Sequence, residues 1–259
     1  MLQVLLAVGM GALALLLFVV WRVRTDGAWA LWWHDNYLER LRDFTSGQSR
    51  PMRILQFVQS AAAPGDANSA ICAVDSYCAN VEWAMNVGDK KGQILDAVVL
   101  AVRPRWVLEL GTYCGYSTMR IARLLPPGAR LVTLEMNQHY AQVAKQILGH
   151  AGLDTQVDLL VGASSALIPQ LKKKFEMETF DLIFIDHWKA SYLPDARLLE
   201  ECGLLAPGTV LLADNVTCPG APDYLQYVRN SPRYRSEYFP CQLEYLQVED
   251  GMEKSVFLG

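Results

Sequence analysis

Apolar and polar positions divide the chain into three stretches with different periods. Between Leu2 and Trp21 no residue is charged, and Gln3 is the only strongly polar one. A run of about 20 apolar residues is long enough to cross a bilayer as a helix. Residues 22–50 interleave tryptophans and arginines as an amphipathic connector, and Pro51 opens a globular part. Helical spacing over 68–81 follows the turn Pro64-Gly65-Asp66 and breaks at 82–88. A further helix over 92–101 stops before Pro104. From there short apolar runs alternate with helical segments. Strands are predicted over 106–110, 130–134, 157–161, 180–185 and 209–213, with helices ending at 125 and 174 and spanning 137–150 and 194–202. Two strands over 234–248 and 254–258 close the chain, joined at Glu249-Asp250-Gly251, a hairpin signal. Continuous apolar runs of strand length belong to buried parallel strands. The pattern predicts an α/β fold: a doubly wound parallel sheet with a C-terminal antiparallel hairpin, preceded by one transmembrane helix. The expected divisions are an anchor over 1–21, a connector over 22–50 and one domain over 51–259.

At 259 residues the chain has room for one good core. A net charge of -4 gives no support for a nucleic-acid or polybasic membrane surface. The hydrophobic content of 52% is somewhat high for a soluble domain, and the N-terminal run supplies the excess. A cleaved signal peptide would carry a basic segment before a shorter apolar core. Here no basic residue precedes the run and Arg22 and Arg24 follow it, which favours a retained anchor over a cleaved signal or a buried helix. With Arg22, Arg24, Arg40 and Arg42 all beyond the run, the positive-inside rule puts the bulk of the protein in the cytosol. Trp21, Trp29, Trp32 and Trp33 suit a membrane interface and equally suit packing onto the domain. The cysteines show no CxxC pairing and no zinc spacing, as expected of reduced packing residues. The usable glycosylation sequon, Asn215-Val216-Thr217, coincides with a candidate metal ligand, which again favours the cytosolic side.

Two predicted strands end in chemistry. One runs into Asp186-His187-Trp188-Lys189, the other into Asp214-Asn215. Ligands of open α/β sheets sit at such carboxyl ends. Asp186, Asp214 and Asn215 offer only oxygen, which favours Mg²⁺ over transition metals. A cation beside a hydroxyl makes it more acidic, and Lys189, three residues past Asp186, could then take the proton. Taken singly, Asp186 could be a helix cap and Lys189 a solvated lysine. The loop Glu109-Leu110-Gly111-Thr112-Tyr113-Cys114-Gly115 opens a helix after the first core strand. It lacks G-x-G-x-x-G spacing, and the acid before its glycines opposes a pyrophosphate. The next strand ends at Glu135, where a carboxylate can hold ribose hydroxyls. That placement alone does not separate dinucleotides from S-adenosylmethionine.

Together with Asn86-Val87-Gly88-Asp89-Lys90-Lys91-Gly92, Leu198 to Leu205 and Asp214 to Asp223, these loops resemble catechol O-methyltransferases. The anchored architecture also resembles the membrane-anchored transmembrane O-methyltransferase branch associated with hearing. The similarity runs from about residue 52 to the C-terminus. The resemblance implies S-adenosylmethionine and Mg²⁺ as cofactors and transfer of a methyl group to a catechol hydroxyl. It implies Asp186, Asp214 and Asn215 as metal ligands, Lys189 as general base and Glu244 on the second catechol hydroxyl. Trp83, Trp188 and Pro219 would wall the substrate ring, beside Lys189 and Asn215. Met85, Val87, Gly111, Tyr113 and Ser117 would line one part of the cofactor pocket, and Glu135, Met136, Ser164, His187 and Trp188 the rest. Met136, Ser165, Thr112 and Ala190 depart from the usual family residues, and none of them is a catalytic group. The resemblance also implies endoplasmic-reticulum membranes and catecholamine metabolism. A rival reading keeps the fold but makes the protein an assembly or trafficking factor for membrane-protein partners such as a sensory channel. A dehydrogenase is opposed by the glycine spacing.

Overall fold

A computed structural model of the chain describes residues 2–26, 29, 32–245 and 248–259, apart from the side chains at 2–8, 12, 34 and 35. The first element is the helix α1, Leu2–Thr25. Part of the span expected over 1–21 lies outside the described residues and side chains. Among the described residues, no helix is long and apolar enough to cross a membrane. The connector ends in the helix α2, Glu39–Ser46, which packs against the domain. Arg42 Nη1 donates to the Val81 carbonyl at 2.6 Å, and Asp43 pairs with Arg53 at 2.8 Å. Its Phe44 and Leu41 remain exposed.

Three helices precede the sheet: α3 Arg50–Ala61, α4 Ala67–Asn80 and α5 Gly88–Val102. The turn at 64–66 starts α4 as expected, because the Asp66 carboxylate accepts from the amides of Asn68 and Ser69. The helix α5 starts four residues before the predicted 92, at a glycine in the left-handed region.

The parallel strands fall where the apolar runs put them: β1 Trp106–Leu110, β2 Arg130–Glu135, β3 Val157–Val161, β4 Leu182–Ile185 and β5 Val210–Ala213. Helices α6 Tyr116–Ala122, α7 Gln138–His150, α8 Ser164–Phe175 and α9 Tyr192–Glu201 connect them, and α10 Pro222–Asn230 follows β5. Two antiparallel strands, β6 Tyr234–Gln242 and β7 Glu249–Phe257, complete a sheet of order β3-β2-β1-β4-β5-β7-β6. Alternate residues of each central strand feed two cores. Leu182 and Phe184 join the α3–α7 side, and Ile183 and Ile185 join the α8–α10 side. Burial on both faces is why these strands read as unbroken apolar runs.

The C-terminal hairpin is real, but its turn is elsewhere than predicted. Residues 249–251 lie inside β7, paired with 240–242 of β6, and the connection falls within 243–248. Asp250 and Gly251 mimic a turn signal for other reasons. The Asp250 carboxylate is buried among donors, and a Cβ on Gly251 would overlap the Tyr238 ring. The strand order reverses between β1 and β4, the switch point where open α/β sheets bind ligands.

Candidate active site

The glycine loop is shaped by contacts underneath it. Gly111 has φ 98° and donates its amide to the Leu134 carbonyl at 3.0 Å. A Cβ here would overlap the Asp186 carbonyl oxygen at the end of β4. Only glycine lets the β1 and β4 ends approach so closely. Gly111→Ala is therefore expected to destabilise the fold by at least about 2 kcal/mol, from left-handed strain and overlap together. Urea unfolding of the variant measures this, and an unchanged midpoint would contradict the close approach.

Glu109, the acid before the loop, points into the protein. It is fully buried and accepts hydroxyl hydrogen bonds from Ser117, Thr118 and Thr133, each at 2.6 Å. Burial pushes its carboxyl up to about 7 against the pull of those three donors. Glu135, at the end of β2, accepts from the amides of Thr112 at 3.2 Å, Tyr113 at 2.8 Å and Asn137 at 2.8 Å. The loop amides thus hold this carboxylate at the rim, ready to meet hydroxyl donors.

A cavity of about 480 Å³ opens over these strand ends. Its walls include Met85, Gly111, Tyr113, Ser117, Glu135, Met136, Ser164, His187 and Trp188. Trp83, Lys189, Asn215, Pro219 and Glu244 line it as well. Val87 is the exception among the expected cofactor residues. It is buried in the core and does not line the opening. Tyr140, Asn86 and Ser165 also line the cavity, and nothing in their spacing marked them. His187 is oriented by Asp195, with Nε2 to Oδ2 at 2.7 Å, and stacks on Tyr192. Its Nδ1 is buried with no partner. Trp83 donates its indole N–H to the Glu244 carbonyl at 3.0 Å, which ties these two lining residues together.

The side chains of Asp186 and Asn215 and the backbone of Asp214 converge on Lys189. Lys189 Nζ lies 3.0 Å from Asp186 Oδ1, 3.2 Å from Asn215 Oδ1 and 3.5 Å from the Asp214 carbonyl. One positive charge therefore already sits among the oxygens expected to take another. Asn215 adopts the left-handed region, which turns its side chain back beside Asp214. Asp214 Oδ2 is buried with no hydrogen-bond partner, the state of a ligand oxygen that awaits a cation. Oxygen donors and an orphaned carboxylate oxygen fit Mg²⁺.

Sequence reasoning missed three residues of this cluster. The Tyr192 hydroxyl donates to the Asp214 carbonyl at 3.0 Å and meets Lys189 Nζ at 2.5 Å. Lys91 and Asp250 lie against Asp214 and Asn215. Lys91 Nζ is 2.8 Å from Asp214 Oδ1 and 2.9 Å from Asp250 Oδ2, and it also touches Glu244 Oε1. Burial alone would lower the lysine, but the three surrounding carboxylates hold it well above the usual lysine range. Asp214, Glu244 and Asp250 offer oxygens within 4.8 Å of one another. A cation already fills that space as Lys91, so it is an ion-pair network and not a second metal site. A signal existed for Lys91: it shares a helical face with Leu95, Val98 and Val99, all buried.

Comparison with known proteins follows the same outline. The O-methyltransferase family model matches residues 73–227. The chain is 57% identical to Catechol O-methyltransferase B of Danio rerio, over 100% of both chains. It is 52% identical to the Catechol O-methyltransferase of Mus musculus, over 99% of this chain and 97% of that one. The Transmembrane O-methyltransferase of Homo sapiens is 40% identical over 86% of this chain and 77% of its own length. Among solved structures, an O-methyltransferase from Bacillus cereus in complex with SAH superposes with TM-score 0.64 at 27% identity, covering 79% of this chain and 97% of that one.

Proposed function

We propose, on the premise that the chain belongs to the catechol O-methyltransferase family, that it is a membrane-anchored, Mg²⁺-dependent enzyme methylating a catechol hydroxyl. The observation that carries the metal-dependent part is the buried Asp214 Oδ2 without a partner, beside Asp186 and Asn215. When bound, S-adenosylmethionine supplies an electrophilic methyl group and Mg²⁺ a Lewis acid that favours the ionised catechol. The protein's own residues do the rest. Asp186, Asp214 and Asn215 would hold the cation. Lys189, held by Tyr192 at 2.5 Å, would give up its own proton to solvent when the cation binds beside it and, as the neutral amine, take the proton from the attacking hydroxyl. Glu244 accepts from the second hydroxyl, while Trp83, Trp188 and Pro219 keep the ring flat. Glu135 accepts from the ribose hydroxyls, and His187, fixed by Asp195, meets the adenine end. Met85, Gly111, Tyr113, Ser117, Met136 and Ser164 would complete that pocket, with Val87 supporting it from behind. Acceleration would come from positioning and electrostatics more than from covalent chemistry.

The membrane part of the proposal rests on the uncharged apolar run over 2–21 of the sequence, several of whose side chains lie outside those described, and on the length of α1. Its 24 residues, at about 1.5 Å each, exceed the roughly 30 Å of a hydrocarbon core. Arg22 and Arg24 stand at its C-terminal end, with Arg22 paired to Asp26 at 2.9 Å and lying over the Trp29 ring, an arrangement suited to a cytosolic interface. The divisions 1–21, 22–50 and 51–259 and an endoplasmic-reticulum location are part of this reading.

The decisive measurement is transfer of labelled methyl from S-adenosylmethionine to a catechol by the full chain, with and without Mg²⁺. Turnover that a chelator abolishes and Mg²⁺ restores is expected. No turnover under any divalent cation would overturn the catechol reading. For topology, the full chain is expected in the carbonate-resistant membrane fraction without a glycan on Asn215, and a glycan there would reverse the orientation.

A further inference from the structure

We infer that Lys91 and Asp250 form a buried ion pair whose role is positional: it holds Asp214 and Glu244 by one oxygen each, leaving the other oxygen of each for metal and substrate. The inference rests on the roles proposed above for those two carboxylates, and it concerns two residues that do not line the cavity.

Both partners are 1% exposed. The ammonium of Lys91 touches Asp214 only through Oδ1, which also accepts the Asn215 amide at 2.7 Å, and Oδ2 of the same carboxylate is the orphan. Glu244 is held in the same way. Lys91 touches its Oε1, and Asn215 Nδ2 donates to that same oxygen at 3.2 Å. Each carboxylate is thus divided into a tied oxygen and an oxygen outside this network. Asp250 divides its own pair of oxygens between two duties. Oδ2 takes Lys91 at 2.9 Å and Asn215 Nδ2 at 2.8 Å, which turns Asn215 Oδ1 the other way, toward Lys189. Oδ1 accepts the backbone amides of Cys218 at 3.0 Å and Thr217 at 3.3 Å, which fixes the loop just before Pro219.

The pair therefore touches two proposed metal ligands, the proposed substrate carboxylate and the loop that carries a wall of the ring site. Residues that support ligands from behind in this way commonly govern metal affinity and substrate pose together. A buried ion pair contributes little net stability against an apolar pair of equal volume. Its presence here is better explained by orientation than by stabilisation.

The test uses the full chain carrying Lys91→Met with Asp250→Asn. The double change removes one charge of each sign, so the net charge beside the metal site is conserved. What is lost is the hold on the oxygens. S-adenosylmethionine binding, measured calorimetrically without metal, reports whether the pocket has folded and should stay within about twofold. Mn²⁺ affinity, read from the electron paramagnetic resonance signal of the free ion, is expected to weaken by about tenfold or more. The ratio of the two monomethylated products of an unsymmetrical catechol is expected to move toward equality, because Glu244 no longer prefers one ring orientation. Mn²⁺ affinity and product ratio both within about twofold of the unaltered protein, the scatter of uncoupled sites, would overturn the inference. If the double variant does not fold, Asp250→Asn alone keeps the Lys91 cation and, through its amide oxygen, the contacts to Thr217 and Cys218, but removes the oxygen that accepts from Lys91 and Asn215 Nδ2. Its product ratio is expected to shift, and an unchanged ratio overturns the inference equally. If the unaltered protein binds Mn²⁺ but methylates no catechol, the substrate reading fails while the metal-affinity comparison still decides this one.

Discussion

Lys189→Met is expected to lower kcat with a simple catechol by about 10²- to 10⁴-fold, the range for loss of a positioned general base. The methylene stem of lysine is nearly matched by methionine, so the cavity wall beside Asp186 and Asn215 should persist. S-adenosylmethionine binding should persist too, since Lys189 belongs to the substrate end of the cavity. Its ammonium lies 3.0 Å from Asp186 and 3.2 Å from Asn215. Removing it therefore also removes a competitor for the cation, and Mg²⁺ should bind no more weakly than before. The diagnostic comparison is a catechol made acidic by an electron-withdrawing group. That substrate is already ionised at neutral pH and needs no base, so its loss of rate should be much smaller. Equal losses for acidic and ordinary catechols would assign Lys189 to binding and remove it from proton transfer.

Glu109→Gln is expected to erase a pH dependence of stability. The carboxyl of Glu109 has an ordinary value of 4.5 and is pushed up to about 7 by complete burial. A raised carboxyl binds its proton more tightly in the folded than in the unfolded chain. Its contribution is therefore complete below about 4.5 and is lost as pH rises through about 7, a loss of roughly 3 kcal/mol. Glutamine is neutral throughout and can keep most of the contacts to Ser117, Thr118 and Thr133, whose hydroxyls can rotate to donate or accept. Urea unfolding at pH 5 and pH 8 checks the difference. The variant should gain on the unaltered protein between the two, and parallel behaviour would mean that Glu109 stays ionised in the fold.

Much of the architecture was legible because it depends on local pattern. The parallel strands are buried on both faces, so each reads as an unbroken apolar run, and Asp186 and Asp214 stand where those runs stop. The glycine loop was legible for a related reason. Gly111 is required by the neighbouring strand's carbonyl, and the four-residue glycine spacing argues against a pyrophosphate without any knowledge of that contact. The hairpin turn was misread at Asp250-Gly251. Aspartate and glycine mark turns when exposed, but here one is a buried counter-ion and the other makes room for Tyr238. Val87 was assigned to the cavity wall, yet its side chain belongs to the core. Sequence adjacency to Met85 says nothing about which way a loop side chain points.

The sequence by itself determined the fold class, the strand ends that bear chemistry and the candidate oxygen ligands, because strand period, turn residues and side-chain chemistry act over a few neighbouring residues. Only the tertiary structure decided which oxygens of those ligands remain free. That depends on a lysine in an early helix meeting an aspartate 159 positions later. No local pattern records such a meeting, since it is set by how the helix packs against the sheet. Burial then makes the contact matter, because in a dry interior a charge must find its partner, and the partner it finds fixes where the ligand oxygens point.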